Sequence, residues 1–284
     1  MTEVDNWQFA GGYLCIILAI FLPPAYIRIV YLFLTRQKYR DLECYRIMAQ
    51  IGIVHLLTVP GTFMMGVSRF LNYDPYSLSN FFSKVFSSAL RMEAVMCLVL
   101  ALNRLKIICG LRYSKHVHTV LLLMAYLYGA ASLTLIMTPW SGYITTPQTF
   151  LSRYDDTKPL TWIFTLINKY TMIVSYSATL LIYVAIVSYL IWTKSRTGSI
   201  TNFRNERAIF LYAFIRFVIS FTLVMAYYFI HLPPWRWIEF TASITYVINM
   251  LLVSPVLYVA LYNATSSQAE CCKPYEQRED VFVD

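Results

Sequence analysis

This sequence is short of charge. Asp, Glu, Lys and Arg make up 13% of its 284 residues, against roughly 25% in soluble domains. Only 4 His and 9 Gly are present, and none of them clusters with acidic residues. There is no His-Glu-x-x-His pair, no Gly-rich phosphate loop and no Gly-x-Ser-x-Gly turn. The expectation is a chain that is no enzyme and carries neither metal nor cofactor. The cysteines Cys15, Cys44, Cys97, Cys109, Cys271 and Cys272 follow no metal-ligand spacing and no secreted disulfide framework. Lys and Arg are absent before Arg28, so the first residues lack the basic region of a cleavable signal. The first apolar run is also too long for one, and it is expected to stay in the protein.

What the chain has is apolar length. Hydrophobic residues make up 58% of it, more than a water-soluble fold can bury. A membrane-crossing helix needs about 20 apolar residues. Seven segments qualify: Tyr13–Leu34, Ile47–Val67, Phe81–Asn103, Val117–Thr138, Leu160–Trp192, Ala208–Leu232 and Ile238–Tyr262. The fifth run is long, and its span is expected to begin near Tyr170. Pro23-Pro24 and Pro60 predict kinks in the first two. The fold class is therefore an all-α integral membrane protein, a bundle of seven transmembrane helices over residues 13–262. Residues 1–12 form a short N-terminal segment and residues 263–284 a polar, flexible tail.

The basic residues set a direction. Loops on one side, with the tail, hold 14 Lys and Arg, and loops on the other hold 5. The positive-inside rule puts the richer side in the cytosol. The N-terminus is then outside and the C-terminus inside. The net charge of +8 fits basic cytosolic loops, and with no basic domain beyond the spans it does not indicate nucleic acid. Asn263-Ala264-Thr265 is a formal glycosylation sequon that this topology leaves in the cytosol.

The third span ends in "LALNR", Leu100 to Arg104, and then turns basic. Arg104, Lys106, Arg112 and Lys115 are explained as anchors whose stems reach the headgroups. Asn103, a polar amide one residue inside, is not. At about 100° per residue, Glu93, Cys97, Leu100 and Arg104 share one helix face. A carboxylate at the depth of Glu93 should face other helices or water. Arg91 falls on a roughly opposite side, so the two need separate partners. Such residues are functional candidates by default, with an inter-helix ion pair as the structural alternative. On the seventh span, Pro255 predicts a hinge, and Tyr258 and Tyr262 lie one turn apart toward the inner end.

Seven spans, an outside N-terminus, a polar-Arg end on the third span and Pro-x-x-Tyr on the seventh together resemble the G-protein-coupled receptor pattern. Asn-Arg stands where the acidic-Arg-Tyr motif is usual. Five stretches resemble the nematode serpentine chemoreceptors, class T. They are "CYRIMAQIGIVH" from Cys44, "LALNR" from Leu100, "IFLYAFIRF" from Ile209, "PPW" from Pro233 and "SPVLYVALYN" from Ser254. Two features depart from the wider receptor pattern. His55 stands where an Asp is frequent in the second span. The second outer loop, Pro139 to Pro159, has no Cys, so the outer face is expected to be held by packing alone.

The resemblance implies a chemosensory receptor in the plasma membrane, and by extension in the ciliary membrane of sensory neurons. It would bind a small molecule from outside and activate a heterotrimeric G protein by population shift. Candidate ligand-binding residues are Arg91, Glu93, Asn168, Lys169, Tyr170, Tyr246 and Asn249. Candidate coupling or switch residues are Asn103, Arg104, Lys106, Pro255 and Tyr258. The basic third inner loop suits a G protein or anionic membrane lipids equally. Cys271 and Cys272 are candidates for S-palmitoylation or a free pair. His55 reads as a structural hydrogen-bonder more than a proton sensor, and Arg216 as a residue that snorkels. A small transporter would show matched broken helices in two halves, which the prolines here do not. A ligand-gated channel of the insect odorant type would need the opposite topology.

Overall fold

Proline decides where the second span breaks. Helix α3, Glu43–Leu56, ends and α4, Val59–Leu71, begins with Pro60 in its first turn. Pro60 has no N–H to give the Leu56 carbonyl, so the ladder cannot continue. Thr58 Oγ1 donates to the His55 carbonyl at 2.6 Å instead. The pair still forms one span, Glu43–Leu71. Helix α1, Glu3–Thr35, by contrast runs through Pro23 and Pro24 as a single helix. A short helix α2, Gln37–Arg40, links α1 to α3.

The computed structural model describes residues 3–40, 42–111, 114, 116–197, 203–228 and 236–256. Arg112, Lys115, Tyr258, Tyr262, Cys271, Cys272, the "PPW" stretch and residues 198–202 of the basic third inner loop lie outside these residues. Helix α5, Leu78–Cys109, is the third span. Asp74 starts it by accepting from the backbone N–H groups of Ser79 and Asn80 at 2.8 and 2.9 Å, which suits an acid at a helix N-terminus. Gly110 ends it at φ +65°, a left-handed cap that glycine adopts without strain. Helix α6 spans His116–Met137, α7 Thr161–Thr197, α8 Phe203–Tyr228 and α9 Arg236–Ile248. A π-helical turn, Asn249–Val253, extends α9 just before Pro255. Between α6 and α7, strands β1, Tyr143–Ile144, and β2, Arg153–Tyr154, pair antiparallel into a small hairpin.

The fifth helix begins at Thr161, not near Tyr170. The polar residues Asn168 and Lys169 mark a turn inside the helix, not its entrance. Six helices are long and apolar enough to cross a bilayer, and Phe214–Tyr228 of α8 is a shorter apolar helix among the described residues.

Helix α5 stands at the centre, against α3, α4, α6 and α7. Helix α1 packs along α3 and α4. A Cβ on Gly12 would lie 3.0 Å from the Gly66 carbonyl oxygen, and one on Gly66 2.8 Å from that of Gly12, so this close approach needs glycine on both sides. The main core joins α1, α3, α5 and the π turn through Tyr26, Met48, Ile51, Met96 and Met250. The outer faces of the helices show Phe21, Leu127, Val174 and Leu181 at 61–73% exposure. Such a surface is stable only against lipid. The chain is a multi-pass membrane protein. Because lipid offers no hydrophobic drive between helices, close packing and buried polar contacts must hold the bundle together.

Candidate functional site

Three polar layers descend through the bundle from the hairpin end to the far end.

The first lies beneath the hairpin. Helices α1, α4, α5, α7, α8 and α9 and the hairpin surround a cavity of about 730 Å³, its open mouth included. Its wall is rich in aromatic rings, with Phe86, Tyr143, Phe150, Tyr154, Tyr228 and Tyr246 prominent among aliphatic and hydroxyl-bearing side chains. Among the described residues Arg91 is the one charged residue that lines it. Its Nη2 donates to Ser87 Oγ at 2.8 Å and to Tyr154 Oη at 2.9 Å, and its guanidinium lies 4.9 Å from the centre of the Phe164 ring. Tyr154 and Tyr228 join hydroxyls at 3.1 Å. Burial pushes the Tyr143 hydroxyl above its ordinary pKa, so it remains a neutral donor at physiological pH.

The hairpin is held by more than packing. Arg69, buried near the end of α4, donates to the Phe150 carbonyl at 2.9 Å and the Thr149 carbonyl at 3.4 Å. Its guanidinium also lies 4.6 Å from the Phe150 ring centre. Glu239 at the start of α9 accepts from Phe150 N at 3.3 Å and from Arg153 at 2.5 Å. Tyr227 donates to the Ser152 carbonyl at 2.9 Å. This network corrects the expectation of packing alone: main-chain acceptors and an ion pair do the work of a disulfide. Arg69 lies within one turn of the end of α4, yet it is 2% exposed. Where the hairpin turns toward α7, Asp155 accepts from Thr157 N and Oγ1. The Thr157 hydrogen bonds hold its carboxyl below the ordinary value.

The second layer sits mid-bundle. Glu93 pairs with Arg216 of α8 and lies 3.5 Å from His55 Nε2. His55 is fully buried, and its Nδ1 meets Tyr26 Oη at 2.6 Å. Arg216 therefore does not snorkel. It is 7% exposed and turned into the bundle, because the one buried carboxylate nearby holds it there. Arg91 and Glu93 have entirely separate partners. Beside this group Asn249 Nδ2 donates to Ser220 Oγ at 2.9 Å. The Glu93 group borders a second cavity of about 450 Å³, its opening included, with Cys97, Tyr176 and Tyr183.

The third layer lies at the far end. Asn103 Nδ2 donates to Glu43 Oε2 at 3.0 Å. His118 Nδ1 meets Glu43 Oε1 at 3.1 Å, and Lys106 Nζ approaches Oε2 at 4.0 Å. Glu43 thus ties together the second, third and fourth spans. Arg104, next to Asn103, is half-buried. Neither Glu43 nor His118 stands out in the sequence, since each sits in a polar stretch at a helix start and reads as a loop residue.

The predicted ligand-binding residues fall into separate places. Arg91 and Tyr246 line the hairpin-end cavity. Glu93 borders the mid-bundle one. Asn168 is buried and accepts from Tyr128 Oη at 2.7 Å, away from both. Asn249 is engaged with Ser220. Tyr170 is 56% exposed on the outer surface of α7, and Lys169 beside it lines neither cavity. Among the described residues no cluster of His, Cys, Asp and Glu fit for a metal occurs. Pro255 is buried directly after the π turn.

No protein-family model and no curated protein matches the sequence. Among solved structures the chain is similar to squid rhodopsin, with a TM-score of 0.60 at 12% identity, over 97% of this chain and 90% of that one. The fold is an all-α transmembrane helix bundle similar to that of squid rhodopsin.

Proposed function

We propose that this chain is a chemosensory G-protein-coupled receptor of the plasma membrane, with the hairpin end outside and the Glu43 layer in the cytosolic half. A small molecule enters the cavity beneath the hairpin and contacts Arg91 and Tyr246. Glu93, Asn168, Lys169, Tyr170 and Asn249 then act around or below the ligand, not as direct contacts. Binding shifts the population toward a state whose cytosolic end admits a heterotrimeric G protein. Asn103, Arg104, Lys106, Pro255 and Tyr258 form the coupling and hinge group, and Cys271 and Cys272 are the candidate lipid anchors. The likeness to class T serpentine receptors supplies the chemosensory part of this reading and the ciliary membrane as its place.

The observation that carries the proposal is a cavity under the hairpin that joins aromatic rings to one buried arginine, a few placed polar groups in an otherwise apolar wall. The test is nucleotide exchange. Membranes bearing the full chain are mixed with purified G-protein heterotrimers of each class. The expected result is basal exchange above that of empty membranes, from the minor active population present without ligand, lowered by Arg104→Ala at equal surface expression. Exchange no faster than in empty membranes with every class would contradict the reading.

A further inference from the structure

Among the described residues the bundle buries three arginines, and only two of them are fully answered by the protein. Arg69 has the carbonyl oxygens of Phe150 and Thr149. Arg216 has the carboxylate of Glu93. Arg91 has neither kind of partner. It is 2% exposed, and its recorded contacts are two neutral hydroxyls and the face of Phe164. Its Nη1 is a buried donor with no acceptor among the described residues, and no carboxylate there pairs with it. A guanidinium in so dry a place is costly until an anion meets it.

The surroundings narrow the anion. Arg91 lines the hairpin-end cavity, whose other walls are aromatic, aliphatic or hydroxyl-bearing. Among the described residues no acidic side chain lines it, so an amine would meet the Arg91 charge with no carboxylate to offset the repulsion. The planar guanidinium fork matches a carboxylate in geometry as well as charge. Tyr154 accepts from Arg91, which leaves its proton for Tyr228. This hydroxyl chain lets the arginine keep its orientation while Nη1 stays available.

Resting on the reading of this cavity as the ligand site, we infer that the ligand is a small organic acid, its carboxylate held by Arg91 and its apolar body by the aromatic wall. Arg91 sets the charge of the ligand, and the rings around Tyr246 and Phe86 set its bulk.

The test is binding to the purified full chain in phosphatidylcholine nanodiscs, followed by thermal melting. The probes are octanoate, 4-phenylbutyrate and cinnamate, each beside its amide and its corresponding amine, up to about 1 mM. Carboxylates should raise the melting temperature where amides and amines do not. Arg91→Gln should weaken carboxylate binding by about tenfold or more, and Arg91→Lys, which keeps the charge, should retain part of the preference. The melting temperature of each variant without probe controls for folding. Amines or amides binding as well as acids, an unchanged preference in Arg91→Gln, or no shift with any acid would overturn the inference. Because binding is read without a G protein, an acid that binds in a chain unable to drive nucleotide exchange would leave this site standing and remove the receptor reading.

Discussion

Asn103 and Glu43, sixty residues apart, meet at 3.0 Å and fasten the end of α5 to the start of α3. That contact explains why an apolar helix ends on an amide. Arg104 and Lys106 are understandable as headgroup anchors, but Asn103 is fully buried and has a partner to hold. Asn103→Ala removes one donor to Glu43 and leaves His118 as its remaining close partner. The expected loss is about 1–3 kcal/mol, read as a lower melting temperature in detergent. Adding Glu43→Gln should cost less than it does in the wild-type background, because the two residues form one unit.

Glu93 and Arg216 answer each other in the middle of the bundle. Removing one leaves a buried charge without its counterion, so Glu93→Ala should cost about 3–5 kcal/mol. Replacing both, with Glu93→Leu and Arg216→Met, should recover most of that loss. Melting temperature and surface expression of the three variants decide the matter. A double variant as unstable as the single one would contradict the pairing.

Arg69 stands in for the cysteine bridge that the hairpin loop lacks. Arg69→Gln should free the Phe150 carbonyl and loosen the loop. Amide hydrogen exchange at residues 149–151 should then speed up by about tenfold or more, while exchange in the α5 core stays unchanged.

Asp155 titrates below its ordinary value of 3.8 because Thr157 donates to it. A depressed carboxylate favours the folded state above its unfolded pKa, and that contribution fades as pH falls through the folded one. The window is therefore at and below about pH 3.8, with no effect near neutrality. Thr157→Ala should raise the midpoint toward 3.8, as followed by the Asp155 carboxyl carbon resonance.

The seven-helix architecture was legible because bilayer length and proline chemistry are local. Apolar runs between basic loops marked the spans, and Pro60 marked the break between α3 and α4. The start of the fifth helix was misplaced because Asn168 and Lys169 look like an entrance when read in one dimension. In three dimensions Asn168 is buried against Tyr128, which no local pattern reveals. Glu93 and Arg91 could be singled out as intramembrane charges. Their partners could not be named, since Arg216, His55 and Tyr154 come from distant segments. Glu43, His118 and Arg69 were missed for a related reason. Each sits within a turn of a helix end, where a charged residue normally means only a loop.

The central claim is a receptor that faces outward with its hairpin, and topology tests it most directly. An epitope placed between Pro147 and Gln148 in the hairpin loop, and another after Asp284, would be probed in intact and then permeabilised cells. The account predicts that the hairpin epitope is reached in intact cells and the C-terminal one only after permeabilisation. The reverse pattern would contradict it, and would make the basic loops an outer surface with no G protein to meet.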